Sequence, residues 1–344
     1  MSKTLIIRLS ATGDVAMAIP VVYAVAEANP DDSFVVLTQP FLTSLFVHHP
    51  PNVSLLEVNT KTTEKSFLGF LLFALRLRTS GFDHVLDLHN VIRSRVVDFI
   101  FCLFGKKVFI VDKCRKERKR LISRPPKVIQ PLRPVYLRYA DVFRKAGFRF
   151  DETFVSLYAN QASKPIFEES LFGRKKEYWI GIAPFAKHRG KIYPLEKMEQ
   201  VVSALSKRDD LKLFLFGGAG EESKTLSSWG KTYDNTVDVA SRRLSFDKEL
   251  ALIRLLDVMV SMDSANMHLA SLVGTRVISI WGATHPYAGF YGYRQREDLA
   301  IQTDLSCRPC SIFGDKRCYR TDWACMNGIT PEEVLRKIND TLYQ

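Results

Sequence analysis

The chain has 344 residues, 46% hydrophobic and 25% charged, too long for one small core and mixed enough to fill two. No run approaches the roughly eighteen apolar residues of a membrane span, and the apolar start "LII" is too short for a signal peptide, so a cytoplasmic protein is expected. The net charge of +12 is uneven: Lys113, Arg115, Lys116, Arg118, Lys119, Arg120, Arg124 and Lys127 form one dense block. Such a block suits a polyanion (nucleic acid, an anionic membrane surface or a phosphorylated substrate) unless it is simply a solvated helix face with loop.

From the N-terminus, strands are expected at Thr4–Leu9, Ser33–Leu37, Val53–Val58, His84–Leu88 and Val108–Val111. Helical patterns at Val15–Glu27, Phe67–Arg78 and Val91–Phe104 lie between them. A helix near Arg133–Gly147 follows, then a polar stretch without clear period that reads as a linker. The alternation restarts with strands at Tyr178–Ala183, Leu211–Phe216, Thr236–Val239, Val258–Ser261 and Val277–Trp281. The matching helices are Leu195–Ser206, Glu221–Trp229, Phe246–Leu255 and Ala265–Val273. A last helix starts at Pro331 behind Thr330 as N-cap. Strands alternating with helices predict parallel sheets covered on both faces, so the fold class is α/β with two doubly wound, Rossmann-like domains. The expected boundaries are 1–160, a linker at 161–177, 178–330, and a C-terminal helix at 331–344. Ligands of such sheets bind beyond the carboxyl ends of the strands, so the two domains are expected to face a central cleft.

The loops after strands carry the chemistry. "RLSATGDVAMAIP" sets Ser10 and Asp14 at the first strand-to-helix turn, where Asp14 is either a helix cap or a carboxylate available as a general base. "DLHNVIRSR" offers Asp87, His89, Asn90 and Arg93 at the end of another strand. "APFAKHRGKIYP" gathers Lys187, His188, Arg189 and Lys191, which match an anionic ligand or are surface charge. In "FGGAGEES" the glycines permit close backbone approach, and Glu221 or Glu222 is placed for a ribose hydroxyl pair. "SMDSANMHLA" places Asp263, Ser264, Ala265 and His268 where a strand becomes a helix. They either cap that helix or hold a phosphate on its open N–H groups, with His268 on the face of Ser264. Cys307, Cys310, Cys318 and Cys325 follow the pattern C-x2-C-x7-C-x6-C. That is near zinc-site spacing but lacks a second tight pair, so a structural zinc or plain thiols in a compact loop are both open.

The segments "LIIRLSATGDVAMAIPVV", "LDLHNVIRSR", "GIAPFAKHRGKIYPLEKM" and "DSANMHLASLVGTRVISIWGATHPYAGFYG" occur in an order and at a spacing that resemble the bacterial lipopolysaccharide heptosyltransferases. These are the inverting glycosyltransferases of family nine. The cysteine-bearing tail looks like that of many members. The resemblance implies a GT-B architecture, with the nucleotide sugar on the C-terminal domain and the acceptor on the N-terminal one. It implies that Asp263, Ser264, Ala265 and His268, with Lys187 and Lys191, bind the donor diphosphate and sugar, that Glu221, or Glu222 beside it, holds the ribose, and that Asp14 is the catalytic base. Two positions depart from the family pattern: Ala265 stands where glycine is usual, and Phe185-Ala186-Lys187 where hydroxyl residues are common.

The implied reaction moves a heptose from an ADP-activated donor to a hydroxyl of a lipopolysaccharide core or related glycolipid. No cofactor is required, and no divalent metal is expected because a D-x-D cluster is lacking. Ser10, His89, Asn90 and Arg93, with Arg115, Lys116, Arg118, Lys119 and Arg120, are the expected acceptor contacts, at the cytoplasmic face of the inner membrane. A nucleotide-sugar epimerase on the same frame is the first rival, and a basic nucleic-acid binder is a weaker one. A nicotinamide oxidoreductase is disfavoured, since "LSATGD" lacks the dinucleotide fingerprint.

Overall fold

The structure is a computed structural model, and it describes residues 1–159 and 178–343; the linker expected at 161–177 lies outside the described residues. Chain contacts divide it into two units. The first comprises Met1–Cys114 and Arg133–Leu157, the second Arg115–Leu132 and the described residues from Tyr158 onward.

The first unit runs β1 (Lys3–Ile7), α1 (Thr12–Ala28), β2 (Ser33–Thr38), β3 (Val53–Glu57), α2 (Phe67–Arg78), β4 (His84–Asp87), α3 (Ile92–Leu103) and β5 (Lys107–Ile110). The chain then leaves for α4 (Arg115–Leu121) in the second unit and returns for α5 (Val135–Lys145). The strands form one sheet in the order β3-β2-β1-β4-β5, every pair parallel. Leu5, Ile6 and Ile7 of central β1 are fully buried, as a strand covered on both faces requires, which is why it reads as a continuous apolar run. Residues 15–26 of α1 are buried without a break, so that helix is apolar nearly all round.

The second unit runs β6 (Tyr178–Ala183), α6 (Leu195–Leu205), β7 (Leu211–Leu215), α7 (Glu221–Thr232), β8 (Thr236–Asp238), α8 (Phe246–Ile253), β9 (Val258–Met262), α9 (Ala265–Leu272), β10 (Arg276–Trp281), β11 (Ala300–Gln302), α10 (Ala324–Asn327) and α11 (Pro331–Leu342). Its sheet, again all parallel, has the order β11-β10-β9-β6-β7-β8. The short edge strand β11 escapes prediction because three residues show no period. Thr330 caps α11 by accepting from the Glu333 N–H at 3.2 Å. Val334, Ile338 and Leu342 then enter the core of the second unit, so the terminal helix is part of that unit and not a segment apart.

The basic segment 115–132 corrects the expected boundary at 160, because it packs on the second unit. Leu121 joins Ala288 and Ile312 in a small apolar cluster, with Ile122, Leu132 and Phe290 against it. The Arg118 guanidinium stacks over Phe290 at 4.9 Å and Phe313 at 5.8 Å. Lys127 Nζ donates to the carbonyls of Cys307 at 3.0 Å and Pro309 at 2.6 Å, and Leu132 N–H donates to Tyr287 O at 2.8 Å.

Each unit also has one buried charged anchor behind its post-strand loops. In the first, Asp87 at the end of β4 accepts from the N–H groups of His89 and Asn90 at 2.7 and 2.8 Å and from the Ser94 hydroxyl at 2.7 Å, which ties the 88–91 loop to α3. Asp98, one turn along α3, faces the Asp87 carboxylate. Burial first, and Asp87 second, push its carboxyl up to about 8, so it is protonated at neutral pH. In the second unit, Arg308 is 3% exposed and gives hydrogen bonds to the carbonyls of Gly282, Thr303, Trp281 and Thr284 and to Gln302 Oε1. It fixes the loop after β10 to the cysteine-bearing loop. Burial holds its pKa below the ordinary value, against the pull of the nearby cysteines.

Two outcomes follow. Asp98 binds a proton more tightly folded than unfolded, so its stabilisation is complete below the unfolded value near 4 and is lost as pH rises through about 8. Urea unfolding from pH 5 to 9 is expected to show Asp98→Asn gaining on the wild type as pH rises, by about 1–3 kcal/mol at the alkaline end; parallel pH curves would contradict this. Arg308→Ala strands several buried carbonyls and is expected to cost about 3–5 kcal/mol in the same assay, with a loss below about 1 contradicting its role as an anchor.

Candidate active site

In the second unit β9, β6 and β7 are neighbours, so the loops that follow them emerge side by side. The loop after β6 ends in a single 3-10 turn, Arg189–Lys191. Gly190 N–H donates to Gly314 O at 3.2 Å, and Gly190 O accepts from Ala283 N–H at 2.8 Å. A Cβ at Gly190 would lie 2.7 Å from that Gly314 oxygen, and one at Gly314 would lie 2.6 Å from Lys191 Cγ. The two glycines therefore let the Lys191 stem pass across the backbone of residue 314. Its ammonium ends 2.9 Å from Asp263 Oδ2, with the carboxylate side chain only 4% exposed.

Asp263 and Ser264 join β9 to α9. Ser264 is the N-cap residue, yet its hydroxyl caps nothing and instead meets the Ser261 hydroxyl at 3.2 Å. The helix start, Ser264–Asn266, is half-buried, whereas Met267–Leu272 are buried. Ser264 therefore makes no side-chain cap, and the N–H groups of a helix start left uncapped can meet a ligand oxygen. His268 is 6% exposed, in the second turn of the same helix.

After β7, Glu222 folds back so that Oε2 accepts from Gly218 N–H at 2.7 Å, while Glu221 is turned to solvent and pairs with Lys224 at 2.6 Å. Of the two acids, Glu222 shapes the loop and Glu221 is accessible. Lys187 is exposed. Arg189 stacks over Trp323 at 5.4 Å and donates to Ile192 O at 3.0 Å, so it serves the local fold.

In the first unit β1 and β4 are paired, which sets the loops holding Asp14 and His89 next to each other. Asp14 is the third residue of α1, whose N-cap is Ala11 without a side-chain bond; it is not a cap. Its Oδ2 lies 2.5 Å from Arg8 Nη2, and the Asp14 side chain keeps 27% exposure. Arg8 also donates to Leu88 O at 2.7 Å. Burial disfavours the charge of Arg8, but Asp14, Tyr139 and Asp87 together outweigh it and raise its pKa. Burial, then Arg8, lowers His89 to about 3, so the imidazole is neutral at physiological pH. Ser10 is half-buried on the same loop. Asn90, at φ 50°, gives its amide to Val111 O at 3.0 Å and so holds the loop. Arg93 donates to Lys65 O at 3.3 Å in an exposed position and is not drawn to Asp14. Arg8 was not anticipated; its one sequence signal is a charged residue in line with a buried strand.

The basic block divides by role. The Arg118 guanidinium is engaged by its two phenylalanines. Arg115 is exposed. Lys116, Lys119, Arg120, Lys127 and Lys316 line an open depression of about 780 Å³ with Ile122, Pro126 and Val128, and no carboxylate lines it. The cysteine tail is a different case. Cys307, Cys310, Cys318 and Cys325 are free thiols, and burial pushes Cys325 up to about 11. Among the described residues, no three Cys, His, Asp or Glu side chains are grouped to hold a metal ion.

The sequence model of glycosyltransferase family 9 (heptosyltransferase) matches residues 71–316. Lipopolysaccharide heptosyltransferase 1 of Campylobacter coli is 22% identical over 352 aligned positions, covering 98% of each chain. Among solved structures, a family 9 glycosyltransferase from Veillonella parvula superposes with a TM-score of 0.73 at 17% identity, over 99% of this chain and 97% of that one. The E. coli ADP-heptose LPS heptosyltransferase II superposes with a TM-score of 0.71 at 17% identity, over 99% of both chains. These structural likenesses share the α/β, GT-B fold. The matched family and the post-strand chemistry converge: the chain belongs to glycosyltransferase family 9, the heptosyltransferases.

Proposed function

We propose that the protein transfers a heptose from ADP-heptose to a hydroxyl of a lipopolysaccharide-core glycolipid, with inversion at the anomeric carbon. The observation that carries this reading is the pairing of Lys191 with buried Asp263 beside an α9 N-terminus that no side chain caps. A cation and open N–H groups at one point are what a departing diphosphate requires.

In the proposed step the acceptor hydroxyl gives its proton to Asp14 as its oxygen bonds to the anomeric carbon. The bond from that carbon to the diphosphate oxygen breaks, and ADP leaves with the electron pair. Arg8 holds Asp14 Oδ2, which leaves Oδ1 to accept the proton. On the donor side, Lys191, His268 and the first N–H groups of α9 stabilise charge that grows on the diphosphate in the transition state. The accessible Glu221 takes the ribose hydroxyls, while Glu222 maintains the glycine loop. Asp263 and Ser264 are assigned to the sugar, and Ala265 removes one backbone freedom that glycine would give at the helix start. Neutral His89 and Ser10 line the acceptor side. Lys116, Lys119 and Arg120, with Lys316 beside them, take the acceptor's phosphates, and the enzyme works as a peripheral protein at the cytoplasmic face of the inner membrane. No helix among the described residues is long and apolar enough to cross a membrane.

The test is a donor screen, ADP-heptose against UDP- and GDP-sugars, with a heptose-deficient lipopolysaccharide as acceptor. Transfer from ADP-heptose alone is expected. Donor consumption without acceptor would instead support an epimerase. Asp14→Asn is expected to lower turnover about a hundredfold or more with ADP affinity unchanged; a folded, fully active variant would remove Asp14 from the chemistry.

A further inference from the structure

The helices α2 and α3 pack side by side over one apolar layer, to which α2 contributes Phe70, Ala74 and Leu77 and α3 contributes Val97, Ile100 and Phe101. One face of each is thereby used. Each also has a second apolar face, and it points outward. On α2, Phe67 is 68% exposed, Leu68 64%, Leu72 48% and Leu75 40%. On α3, Ile92 is 83% exposed, Phe99 69% and Leu103 67%, with Phe104 at 47% just beyond its end. Leu68, Leu72 and Leu75 recur at helical spacing, as do Ile92, Phe99 and Leu103, so each helix shows one stripe. The Arg78 guanidinium lies 4.0 Å over the Phe104 ring and links the two stripes. Scattered exposed leucines need no explanation, but large apolar side chains gathered on two adjoining helices mark an interaction surface.

The charges around this patch are mostly cationic. Arg76 and Arg78 close α2, Arg93 and Arg95 open α3, and Lys106 and Lys107 follow it. Among the described residues of the two helices there is no exposed carboxylate: the single acid, Asp98, is 4% exposed. Nearby Asp83 is matched by Lys106 at 3.8 Å. An apolar surface with a cationic border is complementary to a bilayer that carries anionic headgroups, with side chains entering the acyl boundary and guanidiniums meeting phosphates. The same border opposes a two-fold dimer through this face, which would bring like charges together.

We infer that the α2–α3 face seats the protein on an anionic membrane surface. This rests on the glycolipid-acceptor reading for its purpose, since a lipid-anchored acceptor is reached from that surface, but its test does not depend on transfer. Sedimentation of the full chain with vesicles of phosphatidylethanolamine and phosphatidylglycerol is compared with vesicles of phosphatidylcholine. The wild type is expected to bind, preferring the anionic vesicles. The variant Leu68→Ser, Leu72→Ser, Phe99→Ser, Leu103→Ser is expected to lose about tenfold or more of that affinity. Unchanged circular dichroism and ADP binding show that the variant is folded. A second variant, Arg76→Gln with Lys107→Gln, is expected to lose the preference for anionic vesicles while retaining the binding to neutral ones. Vesicle binding equal to wild type in the serine variant overturns the assignment, as does a wild type that does not bind. So does a wild-type dimer, seen by analytical ultracentrifugation, that the serine changes dissociate. Transfer to a delipidated core oligosaccharide in solution is expected to survive in the serine variant. Its absence from the wild type would refute the proposed function and leave the vesicle result standing.

Discussion

A carboxylate that is 4% exposed, as Asp263 is, is tolerable only where a cation meets it, because desolvation of an isolated charge costs several kcal/mol. Lys191 supplies that cation, and much of the second unit is arranged so that it can. Its stem needs a glycine at 314 to pass over and a glycine at 190 to turn on. The loop bearing Gly314 is held to the end of β10 by Arg308, a guanidinium with five acceptors and almost no exposure. The pair joins the loop after β6 to the loop after β9, the two strands at the centre of the sheet. A lysine held this way is preorganised: its position is set by Asp263, so an anion bound there would require little further ordering of the side chain.

The first unit uses the same device with the signs reversed. There the buried member is a cation, Arg8, and the half-open member is the carboxylate of Asp14. Behind the neighbouring loop, burial and then Asp87 raise the Asp98 carboxyl to about 8, so that it carries a proton beside Asp87. The excess of basic residues is likewise divided by burial. Arg8, Arg118, Lys127 and Arg308 are engaged with carboxylate, aromatic or carbonyl partners, whereas Lys116, Lys119, Arg120 and Lys316 remain at the surface. A single net charge of +12 therefore conceals two functions: cations that hold loops, and cations that face solvent.

Much of the fold was legible because apolar periodicity is a local property. Fully buried strands such as β1 and β9 read as apolar runs, and Thr330-Pro331 marks a helix start without ambiguity. β11 was not legible, since three residues carry no period. The assignment of α4 failed for a different reason: "RKERKRL" predicts an exposed basic helix, and only its tertiary partners, Phe290, Phe313, Ala288 and Ile312, reveal which unit it serves. Lys191 and Asp263 stood out by residue type on two post-strand loops, and the structure pairs them. The difference between Glu221 and Glu222 was not legible, because it depends on which carboxylate folds back to Gly218. Arg308 was also hidden, since an arginine between two cysteines gives no sign that its partners are five oxygens. The cysteine spacing left a structural zinc and plain thiols both open, and among the described residues no three Cys, His, Asp or Glu side chains are grouped to hold a metal ion.

The central claim is that Lys191, on the loop after β6, and His268, on α9, serve one diphosphate. Calorimetric titration of ADP into the wild type, Lys191→Ala, His268→Ala and the double variant tests it most directly. A shared ligand predicts that each single change weakens binding by about 1–3 kcal/mol and that the two losses are non-additive. ADP affinity unchanged in both single variants, or losses that simply add, would contradict it.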